Sequence, residues 1–339
     1  MMDRSDWIQD TGVVLIPVFL SAIVLRAKRQ PLWREAYRQL VRRPIAVASV
    51  AILCLYLLIA LLDGVAWHQP GRIGRVSVVD VLFSKPMETT YSAPLATMTA
   101  ENKNPTRLAA PGSHLLGTDA IGADVLYQTI KGCHTAFFIG GLTMLIATPI
   151  ALFMGLIAGY FGKFTNDVVQ YIYTVFASIP DILLLIAIIM VLGQGLFPIC
   201  FALGVTSWVG LCRLIRGETM RQKERDYVRS AKALGASPSR IMALHILPNL
   251  LPVVIISVTL SFSNIVLAEA ILSYLGVGVG PDVPSWGNMI DGARDELTRA
   301  PIVWWNLVAA TTALFIMVLA LNLLADALRD AIDPRLRSS

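Results

Sequence analysis

Residues 217–249, GETMRQKERDYVRSAKALGASPSRIMALHILPN, form a polar island between two apolar stretches, and their reading decides the fold. Tyr227, Ala231 and Leu234 recur at i, i+4 and i+7, the spacing of one helical face. Arg225, Arg229 and Lys232 share that spacing and make a basic stripe on another face. Gly235 stands where a helix C-terminus favours a left-handed residue. Ser237-Pro238 supplies an N-cap followed by a proline at the first helical position. The second helix is expected to stop near Leu247, because Pro248 disfavours helical geometry in the residue before it. The island is thus a compact helix pair inside an otherwise apolar chain.

Working outward, the 339 residues are 55% hydrophobic and 15% charged. Soluble domains are about 25% charged, so the chain reads as a polytopic membrane protein. Its net charge of +5 is assigned to basic cytoplasmic loops rather than to nucleic acid. Residues 11–27 are apolar and lie at the lower limit for a spanning helix, with an interfacial anchor as the alternative. They lack a basic segment before them and are followed by Arg26, Lys28 and Arg29, so no cleavable signal peptide is read. The basic density through Arg43 places residues 26–43 in the cytoplasm, as an amphipathic surface helix or a plain linker.

The organisation expected is therefore an extra N-terminal span and basic segment (1–43), a first core span (44–67) and an extracytoplasmic segment (68–133). A core of five spans follows (134–332), carrying the loop 217–249, and then a cytoplasmic tail (333–339). Within the core the apolar stretches are 135–160, 167–192, 197–215, 252–275 and 302–324. Gly155 and Gly159 in the first of these have the spacing that allows close helix contact. Trp304-Trp305 suits an interfacial anchor. Counting spans puts the basic segment, the island and the tail on one side, and the N-terminus outside if residues 11–27 span. Cys133 and Cys200 both fall near the outer face, where a bridge between them stays open; Cys54 and Cys212 read as small core residues.

No catalytic motif is present: there is no H-E-x-x-H, nucleophile elbow or cysteine pair at metal spacing. Residues around Gly162-Lys163 do not fit a phosphate loop, since Phe164 stands where Ser or Thr is needed. Asp181 and Glu269 are acids within apolar spans. They are candidates for the translocation path, or else inward-facing acids bonded to a neighbouring helix. Gly117, Thr118, Asp119, Gly122 and Asp124 form a turn-rich corner leading into a helix, with too few alternating oxygens for a calcium loop. A chain able to cross a membrane, with no nucleotide site and an exposed amphipathic helix, suggests a membrane subunit driven by a separate ATPase.

Several motifs in order resemble bacterial ABC importer permeases of the dipeptide, oligopeptide and nickel group. Residues 227–235 (YVRSAKALG) with 245–249 (HILPN) are similar to that family's "EAA" loop. Residues 116–126 look like its LGTDxxGRDVL motif, and 269–276, 284–287 and 328–335 resemble its later motifs. The order is that of the C-type permease, and the resemblance covers 42–337. It implies an all-α fold, the type I ABC importer transmembrane domain, with six core spans plus the extra N-terminal one. It also implies a bacterial inner-membrane protein that hydrolyses nothing and binds no cofactor, ATP-Mg belonging to partner subunits. Expected partners are a second permease in a heterodimer, two ABC ATPases and an extracytoplasmic substrate-binding protein delivering peptides, with nickel or another small solute as the alternative cargo. The loop's implied ATPase contact is Tyr227, Ala231, Leu234 and Gly235, with Leu247, Pro248 and Asn249. Arg229 and Ser230 replace the motif's Glu and Ala, and Ala123 its arginine.

Two other classes compete with this reading. An ion-coupled secondary transporter would use Asp181 or Glu269. A membrane-anchored DNA-binding regulator would use Ala231 and Gly235 as a helix-turn-helix core, but spans at both ends leave no room for a recognition helix.

Overall fold

A computed structural model describes residues 38–68, 75–100 and 105–332. The apolar run 11–27, most of the basic segment and the tail 333–339 lie outside the described residues. The first core helix, α1 (Pro44–Gly64), starts with proline at its first turn and carries no charge before Asp63. Two short strands, β1 (Ala66–His68) and β2 (Arg75–Ser77), pair antiparallel, Ala66 opposite Ser77 and His68 opposite Arg75. They lead into α2 (Val78–Phe83), closed by a reciprocal capping box between Ser77 and Asp80.

After an irregular region up to Asp124, α3 (Val125–Phe161) runs for 37 residues. That is about 55 Å, nearly twice the roughly 30 Å hydrocarbon layer. It begins ten residues before the expected 135, for two reasons. Asp124 caps it by accepting from the Tyr127 N–H. Its polar first turns also find partners: Lys131 Nζ lies 2.7 Å from Asp80 and 3.5 Å from Asp63, and the Tyr127 hydroxyl donates to Asp80 at 2.6 Å.

The stretch expected as one span over 167–192 is broken. It forms α4 (Lys163–Ala177) and α5 (Asp181–Leu192), bent by 84°. Pro180 has no N–H to continue the helix and pushes the preceding residue out of helical geometry. Next come α6 (Leu196–Thr206) and α7 (Trp208–Lys223), which pass as one span through the joint at Ser207. The island holds α8 (Asp226–Ala233) and α9 (Pro238–Ile241), then a π turn at Met242–Ile246 that flows into α10 (Leu247–Tyr274). Helix α11 (Trp286–Glu296) and the last span α12 (Trp305–Ile332) complete the chain. Among the described residues five helices are long and apolar enough to cross a membrane, and the bent pair makes a sixth.

Helix α3 is the axis of the bundle, and small residues let α7 press against it. A Cβ on Gly155 would lie 2.8 Å from Ile215 Cβ, and one on Gly159 2.6 Å from Thr219 Cβ. These are the two glycines whose spacing predicts close contact. Arg43 pairs with Asp330 at 2.5 Å, which joins the start of α1 to the end of α12. Cys133 and Cys200 are buried free thiols, so the bridge left open between them does not form.

Candidate coupling and translocation site

Helix α8 of the island is anchored by one buried residue that the repeat in its sequence does not single out. Val228 on α8 is buried in the main core cluster, and Ala231, three residues on, is half-buried against the same cluster. This pair anchors α8. Tyr227 and Leu234 are exposed, at 40% and 88%. The expected face of Tyr227, Ala231 and Leu234 is therefore divided: Ala231 faces inward and the two larger side chains outward.

Gly235 ends α8 as expected, with φ +82°. The Gly235 N–H donates to Lys232 O and the Ala236 N–H to Ala231 O, the paired bonds of a Schellman turn. Ser237 then caps α9 by accepting from the Arg240 N–H. Arg229, in the basic stripe, is 2.7 Å from Glu224.

The expected stop near Leu247 is not observed, because helix continues through Pro248. The π turn puts the Leu247 N–H on Met242 O, five residues back. This register shift lets Pro248, which has no N–H, sit in the first turn of α10. Asn249 folds back, donating to His245 O at 2.7 Å and to the Tyr227 hydroxyl at 3.3 Å. Tyr227 in turn donates to Gln222 at 2.8 Å. Tyr227 and Asn249, distant in sequence, thus brace α8 against the start of α10, while Leu247 and Pro248 are half-buried behind them.

Spacing would have revealed one further clamp. Arg216 on α7 donates to Asn166 at 2.5 Å, Tyr173 at 3.1 Å and Gln170 at 3.2 Å. These three acceptors recur at i, i+4 and i+7 along α4. The clamp ties the first half of the broken span to the helix that leads into the island.

Asp181 lines a cavity of about 670 Å³ between the broken span and helices α6, α7 and α10. Arg213 lines it too, its guanidinium 4.8 Å over the Tyr173 ring. Ser257, Ser261 and Asn264 supply a polar stripe from α10 at i, i+4 and i+7. Glu269 is elsewhere. It is 3% exposed and accepts from Ser273 Oγ at 2.8 Å, and that hydroxyl also accepts the Val279 N–H. Glu269 therefore holds the turn after α10 and does not line the cavity.

The corner from Gly117 to Asp124 is a self-contained lock at the end of the bundle opposite the island. Gly117 and Gly122 have φ +76° and +78°, and side chains there would strike Ser92 O and Glu88 O. Thr118 donates to Thr90 O at 2.9 Å and accepts from the Ser92 N–H at 2.7 Å. Asp119 accepts from the N–H groups of Ile121 and Ala123 and from Gln128. Asp124 lies 2.8 Å from His114 Nδ1 and 3.0 Å from Lys85 Nζ, and His114 Nε2 is 3.2 Å from Glu88. Burial would raise the Glu88 carboxyl, but the N–H groups of Ala109 and Ala110 and the His114 ring hold it below the usual range. Trp305 closes the corner by donating to Thr118 O at 2.9 Å. It is buried, so it is no interfacial anchor, while Trp304 is exposed. Trp286 does the same for α3, donating to Thr129 O at 2.9 Å over Gly132. Among the described residues no cluster of His, Cys, Asp and Glu suits a metal ion.

Comparison with known proteins joins these parts. Residues 151–338 match the profile described as "Binding-protein-dependent transport system inner membrane component". Residues 31–74 match the "N-terminal TM domain of oligopeptide transport permease C". A di/tripeptide transport system permease protein of Pseudomonas aeruginosa is 36% identical, over 66% of this chain and 73% of its own length. A glutathione transport system permease protein of Pectobacterium atrosepticum is 30% identical, over 98% of this chain and 99% of its own. A dipeptide transport system permease protein of Alkalihalophilus pseudofirmus is 30% identical, over 90% and 91%. Among solved structures, the inward-facing MetNI methionine ABC transporter aligns with a TM-score of 0.44 and 20% identity, over 63% of this chain and 93% of that one. The chain belongs to the family of binding-protein-dependent transport system inner membrane components, the permease subunits of ABC importers.

Proposed function

We propose that this permease carries peptides across the bacterial inner membrane, in a heterodimer with a second permease, above two ATPases and below a substrate-binding protein. The family membership supports the importer, and relatives named for dipeptides, tripeptides and oligopeptides support the cargo. The observation that carries the coupling assignment is Leu234. It is 88% exposed at the end of a short helix that is anchored by Val228 and closed by the Gly235 turn. A large apolar side chain held out from a braced support suits insertion into a groove on a partner.

On this reading α8 and Gly235 take the ATPase, with Leu247, Pro248 and Asn249 as their brace. Closure of the ATPase pair then moves α7 through the island, and the Arg216 clamp transmits that movement to the broken span. The cavity with Asp181 is this chain's share of the path. The island, the start of α1 and the end of α12 face the cytoplasm, where ATP-Mg binds to the partners alone. Glu269 is a positioning acid for the outer turn, and Gly117, Thr118, Asp119, Gly122 and Asp124 hold the surface facing the binding protein.

The test is peptide uptake by vesicles holding the full complex, with Leu234→Cys paired against cysteines in the ATPase groove. ATP-dependent peptide uptake with a specific crosslink is the expected result. Uptake that survives loss of the ATPases and follows the proton gradient would instead identify an ion-coupled transporter. Uptake of nickel but not peptides would change the cargo.

A further inference from the structure

Helix α11 ends on an acid that coupling and translocation do not use. Glu296 is 2% exposed, and Asn306, the second residue of α12, is 4% exposed. Asn306 Nδ2 donates to Glu296 Oε1 at 3.3 Å. The other two polar atoms of this pair, Glu296 Oε2 and Asn306 Oδ1, have no hydrogen-bond partner among the described residues. With the carboxyl ionised both are acceptors, and leaving two acceptors buried and unpaired is costly.

A single proton satisfies both atoms. Placed on Glu296 Oε2, it donates to Asn306 Oδ1 while Nδ2 keeps its bond to Oε1, closing a cyclic acid–amide pair. We infer that Glu296 is a proton-binding site whose neutral acid pairs with Asn306 and latches the end of α11 to the first turn of α12. Loss of the proton breaks one bond of the ring and leaves a buried charge beside the other.

The charges facing the site favour the same form. Asp119 approaches from the outer corner with its carboxylate already committed to Ile121, Ala123 and Gln128. Arg299, beyond the end of α11, is the opposing cation and stands 4.6 Å over the Tyr91 ring. Arg294 and Asp295 precede Glu296 on its own helix, and the first turn of α12 (Trp305, Asn306, Leu307, Val308) brings no charge. Burial, opposed by the Asn306 amide and by Arg299 and reinforced by Asp119, pushes the Glu296 carboxyl up from 4.5 to about 7.

The latch lies at the end of the bundle away from the island, so it samples the solution on that side of the membrane. Its reach follows from its neighbour: Trp305, adjacent to Asn306, holds Thr118 O in the outer corner. Opening the latch therefore loosens the corner's contact with the last span. Between 4.5 and about 7 the folded latch keeps a proton that the unfolded chain has released. Stability contributed here is full at low pH, falls as pH rises through that window, and is level above it.

The test compares wild type with Glu296→Gln in the full complex, by thermal unfolding across that window and by infrared difference spectroscopy. Glutamine closes the same ring with its own Nε2–H and needs no proton. Expected are a falling midpoint in the wild type, a flat one in Glu296→Gln, and loss in the variant of the protonated-carboxyl band seen below pH 7. Equal pH slopes in the two proteins, a variant destabilised at every pH, or an unchanged band overturns the proposal. Should the variant fail to assemble, Asn306→Asp decides. Two carboxyls sharing one proton must hold the infrared band to higher pH, and an unmoved titration refutes the pairing.

Discussion

Arg216 Nη1 donates to the Tyr173 hydroxyl at 3.1 Å, and the same guanidinium holds Asn166 and Gln170. Helices α4 and α7 are thus joined by one side chain near the island. Arg216→Met keeps the length of the side chain but none of these bonds. It is expected to cost about 2–3 kcal/mol, the scale of hydrogen bonds to a charged donor, read as a lower unfolding midpoint of the purified complex. Arg216→Lys should recover only part of the loss, because an ammonium lacks the planar fork. Equal midpoints for Met and Arg at this position would remove the clamp from the coupling route.

His114 is fully buried between two carboxylates, Glu88 and Asp124. His114→Leu leaves both acids in place without the ring that touches each of them, Lys85 still lying 3.0 Å from Asp124. Leaving buried carboxylate oxygens without that partner costs about 1–3 kcal/mol each, so hydrogen exchange should accelerate across residues 105–124 before the spans respond.

The same corner sets a limit in acid. Glu88 sits below its ordinary value of 4.5 in the folded chain. Its contribution is therefore present above that value and is lost as pH falls through the lowered one. Acid unfolding followed by exchange at Ala109 and Ala110, the amides Glu88 accepts from, should precede loss of the bundle. In Glu88→Gln this early acid phase should vanish.

Much of this architecture can be read from residue spacing. The glycine pair at 155 and 159, the Gly235 turn and the Ser237-Pro238 start each rest on short-range rules and appear where those rules put them. Features outside those rules mostly depend on partners far along the chain. The polar turns 125–134 do not look like part of a span until Asp63 and Asp80 are beside them. Trp305 resembles an interfacial anchor until Thr118 takes its indole N–H. Pro248 looks like a helix stop because a local rule cannot foresee the π turn that accommodates it. Val228 is not marked as an anchor by spacing, because the Tyr227, Ala231 and Leu234 repeat puts the face one residue away. Of the two span acids, the cavity takes Asp181 and leaves Glu269 to the turn after α10.

Two glycines close together on α3 and α7 should answer differently to the same change. At Gly159 a methyl meets Thr219 Cβ at 2.6 Å and Arg216 O at 2.7 Å, whereas at Gly217 nothing lies within 4 Å. Gly159→Ala should overpack the helix pair at a cost of about 1–3 kcal/mol. Gly217→Ala, in the interior of α7, should instead stabilise by up to about 1 kcal/mol through helix propensity. Unfolding midpoints of the two variants, measured side by side, must move in opposite directions.

The island separates folding from coupling at adjacent positions. Gly235 has open space around it but a φ of +82°, so Gly235→Ala is penalised by backbone conformation alone, about 1–2 kcal/mol. Leu234 has the reverse character: it is exposed, and Leu234→Asp should leave the chain's own stability within about 0.5 kcal/mol. If α8 docks on an ATPase, that aspartate must desolvate in the groove. Substrate-stimulated ATP hydrolysis should then fall at least about tenfold, the effect of some 1.4 kcal/mol on the docked state, while membrane insertion and permease pairing persist. Gly235→Ala should lower stability and stimulation together, since it moves the platform on which Leu234 stands. A Leu234→Asp complex with normal stimulation would mean that the exposed leucine is not the contact, and the search for the docking side chain would turn to Tyr227.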